Sequence, residues 1–231
     1  MKITTHAFGF LAAAILSTGT NSHAAVVFSE DFSESDGTAI IGKNPDVGSP
    51  WTGNAPLVSG SSFYIEGGSS DARADFTAAL GAGQVLTLTY ETLPMDEGIY
   101  FGSGSGFAGV SLYVGAGERV FIGDLIDNTF WGLGGISDSG ISADATAVTT
   151  VSFSYAYDTG AWAFTTGSGV SQSGIATSQG VALDRLGIVN FGGSGIRVDN
   201  LTVDISAVPE PSVALLSGFL VVGLGAYRRR A

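Results

Sequence analysis

Apolar and polar residues alternate with a period of two through the middle of the chain. Over 72–77, Ala72, Ala74 and Phe76 share one parity, and Arg73, Asp75 and Thr77 the other. Over 85–91, Leu86, Leu88 and Tyr90 alternate with threonines. Over 149–157, Val151, Phe153, Tyr155 and Tyr157 fall on one side. A two-residue repeat places one set of side chains on a single buried sheet face. No convincing helical stretch of 12 residues interrupts it. Asp158-Thr159-Gly160 then reads as a three-residue hairpin loop with glycine at its end, and Trp162 and Phe164 alternate into the core beyond it. Between Ile196 and Ile205 the apolar parity changes. Ile196 and Val198 hold one phase, Leu201, Val203 and Ile205 the other, and the slip at Asp199-Asn200 predicts a β-bulge. Glycine, 35 of 231 residues, is about twice as frequent as usual and gathers between these runs. Short strands with glycine-rich turns predict an all-β domain, a single antiparallel β-sandwich or jelly roll.

The two ends break the pattern. Lys2 precedes an apolar run from Phe8 to Leu16, and Ser22-His23-Ala24 puts small residues at −3 and −1. This predicts a signal peptide over 1–24, cut between Ala24 and Ala25. At the other end, an apolar run of 15 residues goes from Val213 to Tyr227. As a helix they would reach about 22 Å, short of the roughly 30 Å of a bilayer core. Arg228, Arg229 and Arg230 would stay cytoplasmic and leave everything upstream outside. Pro209 and Pro211 force an extended backbone before the run. By physics alone this suits either a segment read by a protease or a plain anchor behind a proline hinge.

The order Val208-Pro209-Glu210-Pro211-Ser212, apolar helix, terminal arginines resembles the PEP-CTERM sorting signal of Gram-negative bacteria. The resemblance implies transient insertion in the inner membrane and cleavage near the Pro-Glu-Pro by exosortase, a membrane cysteine protease. It divides the chain into 1–24, a domain over 25–207, and a sorting signal over 208–231: motif 208–212, helix 213–227, arginines 228–230.

Composition narrows what the domain can do. Of nine Lys and Arg, Lys2 and the three terminal arginines lie outside it. Of twenty-one acids only Glu210 does, so five positive charges face twenty negative ones, a balance of −15. That excludes nucleic acid as a partner. There is no cysteine, and the two histidines, His6 and His23, precede the predicted cleavage point. Thiolate and histidine catalysis and the usual zinc sites are thereby excluded from the mature domain.

Val27-Phe28-Ser29-Glu30-Asp31-Phe32, Tyr157-Asp158-Thr159-Gly160-Ala161-Trp162 and Val198-Asp199-Asn200-Leu201 resemble concanavalin-like and laminin-G-like sandwiches. Laminarinase-type enzymes of that fold carry Glu-x-Asp-x-x-Glu on one strand. Here Glu34-Ser35-Asp36 is followed by Ala39 where the second Glu should stand, so no catalytic residues are assigned. Such sandwiches often hold calcium where the first and last strands meet, which makes Asp31 and Asp199 the candidate ligands of a structural calcium, the one cofactor considered. Trp51, beside Pro50 and Gly53, and Trp131, in a glycine-rich stretch, are the candidate carbohydrate contacts. Gly104 to Gly109 matches G-x-G-x-x-G but runs into a predicted strand, which argues against a nucleotide site. The functional expectation is an exported, non-enzymatic surface or matrix protein handled by exosortase. The alternative is a lectin-like module for exopolysaccharide, with a glycoside hydrolase ranked below both.

Overall fold

In the computed structural model the described residues are 24–54, 57–58, 62–66, 69–93, 107–124, 130–134, 137–142, 148–167, 171–191 and 195–208. The predicted signal peptide up to His23 and the sorting signal from Pro209 onward lie outside them.

The strands, numbered in chain order, form two antiparallel sheets. The first runs β13 (Ser171–Ile175), β12 (Ala161–Thr166), β11 (Thr149–Ala156), β6 (Gln84–Thr92), β15 (Gly195–Ala207), β4 (Phe63–Glu66), β3 (Leu57–Val58). Its eighth strand, β1 (Ala25–Glu30), also pairs with β15, Ala25 opposite Ile205 and Glu30 opposite Leu201. The second runs β10 (Ser137–Ser142), β9 (Phe130–Gly134), β8 (Gly117–Asp124), β7 (Phe107–Val114), β14 (Arg185–Phe191), β5 (Ser70–Asp75), β2 (Thr52–Asn54). The expectation of an all-β antiparallel sandwich holds.

The two-residue repeat explains the core. Leu86, Leu88 and Tyr90 from β6, Val151, Phe153 and Tyr155 from β11, and Leu201, Val203 and Ile205 from β15 are buried. With them are buried Ala72 and Ala74 from β5, Val110 and Leu112 from β7, and Leu186 and Ile188 from β14. Each fully buried large apolar side chain stabilises by about 1.5–3 kcal/mol over its exposed state. One polar tie crosses this layer: the Tyr90 hydroxyl donates to the Ile122 carbonyl at 3.3 Å. Burial pushes that hydroxyl far above the ordinary tyrosine range.

The parity slip is a bulge. Against β6, Asp199 pairs with Glu91 but Thr202 with Thr89, so β15 carries one extra residue. Asn200 absorbs it with φ +50°, a conformation asparagine tolerates better than most residues. The slip keeps both Val198 and Leu201 in the core. The β11–β12 hairpin forms where expected, with Gly160 at φ +65°, but its loop has four residues, Tyr157 to Gly160, rather than three. Elsewhere β7 and β8 approach so closely that a Cβ on Gly123 would collide with the Ala108 carbonyl oxygen.

Candidate functional site

Where β1 ends, the chain turns sharply, with Phe32 at φ +48°. Phe28, Glu30 and Phe32 share one strand parity and all three are buried. A buried carboxylate must have its oxygens satisfied, and Glu30 does. Its Oε1 accepts the Phe32 N–H at 3.0 Å and the Lys43 ammonium at 2.7 Å; its Oε2 accepts the Trp51 indole N–H at 3.2 Å. Lys43 is paired with Glu34 as well. Burial lowers the Lys43 affinity for its proton, but the bonds and charges of Glu30 and Glu34 outweigh it and hold the ammonium above its ordinary range.

This corrects one sequence expectation. Trp51 is not a loop-borne aromatic platform, because it is 1% exposed. Its ring packs edge-on against Phe28 at 5.4 Å and lies 6.2 Å from Phe32 and 6.4 Å from Phe63, centroid to centroid. The indole N–H is spent on Glu30, so Trp51 presents no face to a sugar. Trp131 lies on β9, opposite Asp124 and Ile141, and its side chain lies outside the described set. Glu34, Ser35 and Asp36 follow β1 in a loop, not on a strand.

Beside this tie lies an acidic surface. Oxygens of Glu30, Asp31 and Asp46 sit within 4.8 Å of one another, with Asp31 and Asp46 exposed. From the other terminus, the bulge of β15 brings Asp199 into the field of Asp31 and Glu91. Burial is the main cause that raises the Asp199 carboxyl above its ordinary value. The Asn200 N–H lowers it, the charges of Glu91 and Asp31 raise it further, and Arg197 lowers it. Asp199 Oδ1 accepts the Asn200 N–H at 2.8 Å, and Asn200 Nδ2 donates to Glu91 Oε2 at 3.0 Å. The two predicted calcium residues, 168 positions apart in sequence, thus lie near enough for their charges to interact, while the cluster with ligand-spaced oxygens among the described residues holds Asp31 and not Asp199. Asp31 belongs to both groupings. The donors are all oxygen, as a hard divalent cation requires, and mutual repulsion is what such an ion would relieve. Glu30 does not fit that role, since Lys43, Phe32 and Trp51 occupy its oxygens. Asp46, absent from the sequence expectation, comes close because Val47 pairs with Ser29.

A second constellation, missed from sequence, lies on the face of the second sheet turned from the core. Ser111 and Tyr113 alternate with the core residues Val110 and Leu112. Their hydroxyls both donate to Glu118 Oε2, at 2.8 and 3.3 Å, and the Arg73 guanidinium stands 4.8 Å over the Tyr113 ring. Arg73 also pairs with Asp71 at 2.7 Å, and Arg185 with Asp75. Burial, followed by smaller opposing effects of Ser111, Glu118 and Arg73, holds the Tyr113 hydroxyl above its ordinary range. The alternation of Ser111 and Tyr113 was readable in the sequence; their partners on β5 and β8 were not.

No family model matches the sequence, and no curated protein matches it. Solved structures do match in fold. Lectin II from Ulex europaeus aligns with TM-score 0.51 at 11% identity, over 75% of this chain and 100% of its own. Endo-1,3-beta-glucanase from Streptomyces sioyaensis aligns at 0.50 and 10% identity, over 85% and 100%. The VIP36 exoplasmic/lumenal domain, solved in a Ca2+/Man-bound form, aligns at 0.50 and 10%, over 80% and 92%. A sialidase aligns at 0.55 and 8%, but this chain spans only 18% of that protein's length. At these identities the shared property is the lectin-like, concanavalin-like sandwich.

Proposed function

We propose that this chain is an exported, non-enzymatic protein of the cell surface or extracellular matrix, handled through its PEP-CTERM-like tail and processed by exosortase. The observation that carries the non-enzymatic reading is how the domain uses its acids. Glu30 holds Lys43, Trp51 and the Phe32 amide; Glu118 holds two hydroxyls; Asp75 holds Arg185; Asp158 caps the Gly83 amide at 2.7 Å. These carboxylates serve as ties between strands and loops. Glycoside hydrolysis needs instead a pair left free to flank a bond, and Glu34-Ser35-Asp36 lies in a loop without the second glutamate. In the same reading, Asp31 and Asp199 hold a structural calcium. The ion would neutralise the repulsion between the first and last strands.

The test is intact mass of the protein purified from its exporting host. The expected mature chain starts at Ala25 and lacks Arg228 to Arg230; retention of those arginines overturns the processing.

A second reading, a carbohydrate-binding module acting on exopolysaccharide, is supported by the lectin-like, concanavalin-like fold. Saturable retention on the host's exopolysaccharide would favour this reading; no saturable binding would leave the structural one.

A further inference from the structure

A sheet with one face on a core turns every second residue of each strand outward. On the eight-stranded sheet the registers line these outward residues up from strand to strand. Thr89 of β6 stands opposite Thr202 of β15 on one flank and Ser152 of β11 on the other. Thr202 in turn faces Ser29 of β1, Ser152 faces Thr165 of β12, and Thr165 faces Ser171 of β13. Six strands thus place six hydroxyls side by side in one transverse row. At about 4.8 Å per strand the row is about 24 Å long.

The row is unused by the fold. None of its six hydroxyls takes part in a hydrogen bond with another described residue. Thr165 and Ser171 are exposed and the other four partly so, while Leu88, Phe153, Phe164 and Val203, one residue along the strands, are buried. One step further along the strands, Ser154, Thr87 and Asp204 stand next to one another on the same face. Asp204 has neither an ion pair nor a hydrogen bond among the described residues.

The chemistry of the row selects what can lie on it. It holds no aromatic and no large apolar side chain, so a protein partner, whose interface core is built on such residues, finds no anchor. A domain balance of −15 repels nucleic acid and acidic polymers. Neighbouring strands are rotated by about 20–25°, so over five steps the row turns by about 100° or more. A rigid flat surface cannot follow that turn, and a flexible chain can. Each hydroxyl both donates and accepts, and Asp204 adds a charged acceptor beside them. An uncharged chain dense in hydroxyls meets all of these conditions.

We propose that this row is a docking surface for a neutral polysaccharide chain laid across the strands. Such docking rests on the carbohydrate-binding reading and gives it a face of the sandwich. No single bond carries it. Each hydroxyl gives up water to meet the sugar and gains little, so retention needs several at once and a polymer long enough to re-engage.

Native-gel electrophoresis of the exported protein through hydroxyethylcellulose, a neutral glucan, and through alginate, a polyuronate, tests this. Expected is saturable retardation by hydroxyethylcellulose that high salt leaves in place, and none by alginate. Thr89→Val/Thr202→Val removes two adjacent hydroxyls at nearly constant shape. It should weaken retardation at least about fivefold, with a melting midpoint no lower than that of the wild type. Ser152→Ala, on the neighbouring strand, should weaken it in the same direction. Retardation indifferent to both variants overturns the row as the site and leaves the carbohydrate-binding reading standing. No retardation by the neutral glucan overturns both, and equal retardation by alginate overturns the selection of an uncharged chain.

Discussion

Replacing Glu30 by Gln keeps the shape of the side chain and removes its charge. Three donors converge on this carboxylate, from Phe32, Lys43 and Trp51. Glutamine offers one acceptor oxygen and turns an NH2 group toward the remaining donors. Breaking a fully buried ion pair costs about 3–5 kcal/mol. Lys43 is partly exposed, at 20%, and keeps Glu34, so about 2 kcal/mol is the appropriate share here. A donor left facing the amide adds about 1 kcal/mol. The sum, about 3 kcal/mol, corresponds to a fall in Tm of about 6–12 °C for a domain of this size. Thermal and urea melts measure it. The double variant Glu30→Gln/Lys43→Met should recover part of the loss, with a coupling above about 1 kcal/mol. The pH dependence carries a sign. Lys43 has its folded value raised above 10.5, so the pair's contribution is whole below that pH. It is lost only as pH rises through the higher folded value, and the gap between wild type and Glu30→Gln should stay level from neutrality to about pH 10. A Tm loss under about 2 °C would refute the view of Glu30 as the tie that holds the first turn.

Three further outcomes are expected. Calcium in 100-fold excess over its dissociation constant should stabilise the wild type by about 2.7 kcal/mol; equal melting midpoints in calcium and in chelator, or a response that survives Asp199→Ala, would rule the ion out. In chelator, the raised folded value of Asp199 means that its ionised form costs stability at neutral pH. That cost should fade as pH drops through the folded value toward 3.8, and Asp199→Asn should remove the dependence. Gly123→Ala should cost about 3 kcal/mol by forcing β7 from β8, whereas Gly37→Ala, at φ +81° in open space, should cost about 1 kcal/mol; equal losses in denaturant melts would contradict the close approach.

What could be read in advance was whatever a strand imposes on its own residues. The parity of Leu86, Leu88 and Tyr90, the hairpin after Ala156 and the phase change at Asp199-Asn200 are local consequences of a two-residue repeat and one extra residue. Trp51 was misread because Pro50 and Gly53 suggest an open loop, while its burial is decided by Phe28, Phe32 and Glu30, some 20 residues away. A signal was present: Glu30 shares its parity with Phe28 and Phe32, and an acid on a core face demands a buried cation or donor. Nothing local says that Lys43 and Trp51 answer it. Asp31 and Asp199 could be paired in advance only through the resemblance to known sandwiches. Asp46 and the Arg73–Tyr113 contact depend on strand order, which single-strand periodicity does not encode.

The place of β15 bears on when the molecule can assemble. This strand, the last in the described chain, sits in the middle of the eight-stranded sheet, with β6 on one flank and β1 and β4 on the other. Until it arrives, the sheet exists only as three unlinked parts: β13 to β6, the β3–β4 pair, and β1. A chain made at roughly 5–20 residues per second leaves β1 without its partner for about 10–35 s. During that interval the core cannot close, and the polypeptide stays in a form that can still be threaded. Folding is therefore gated by the arrival of β15, which ends at Ala207 and joins the three parts.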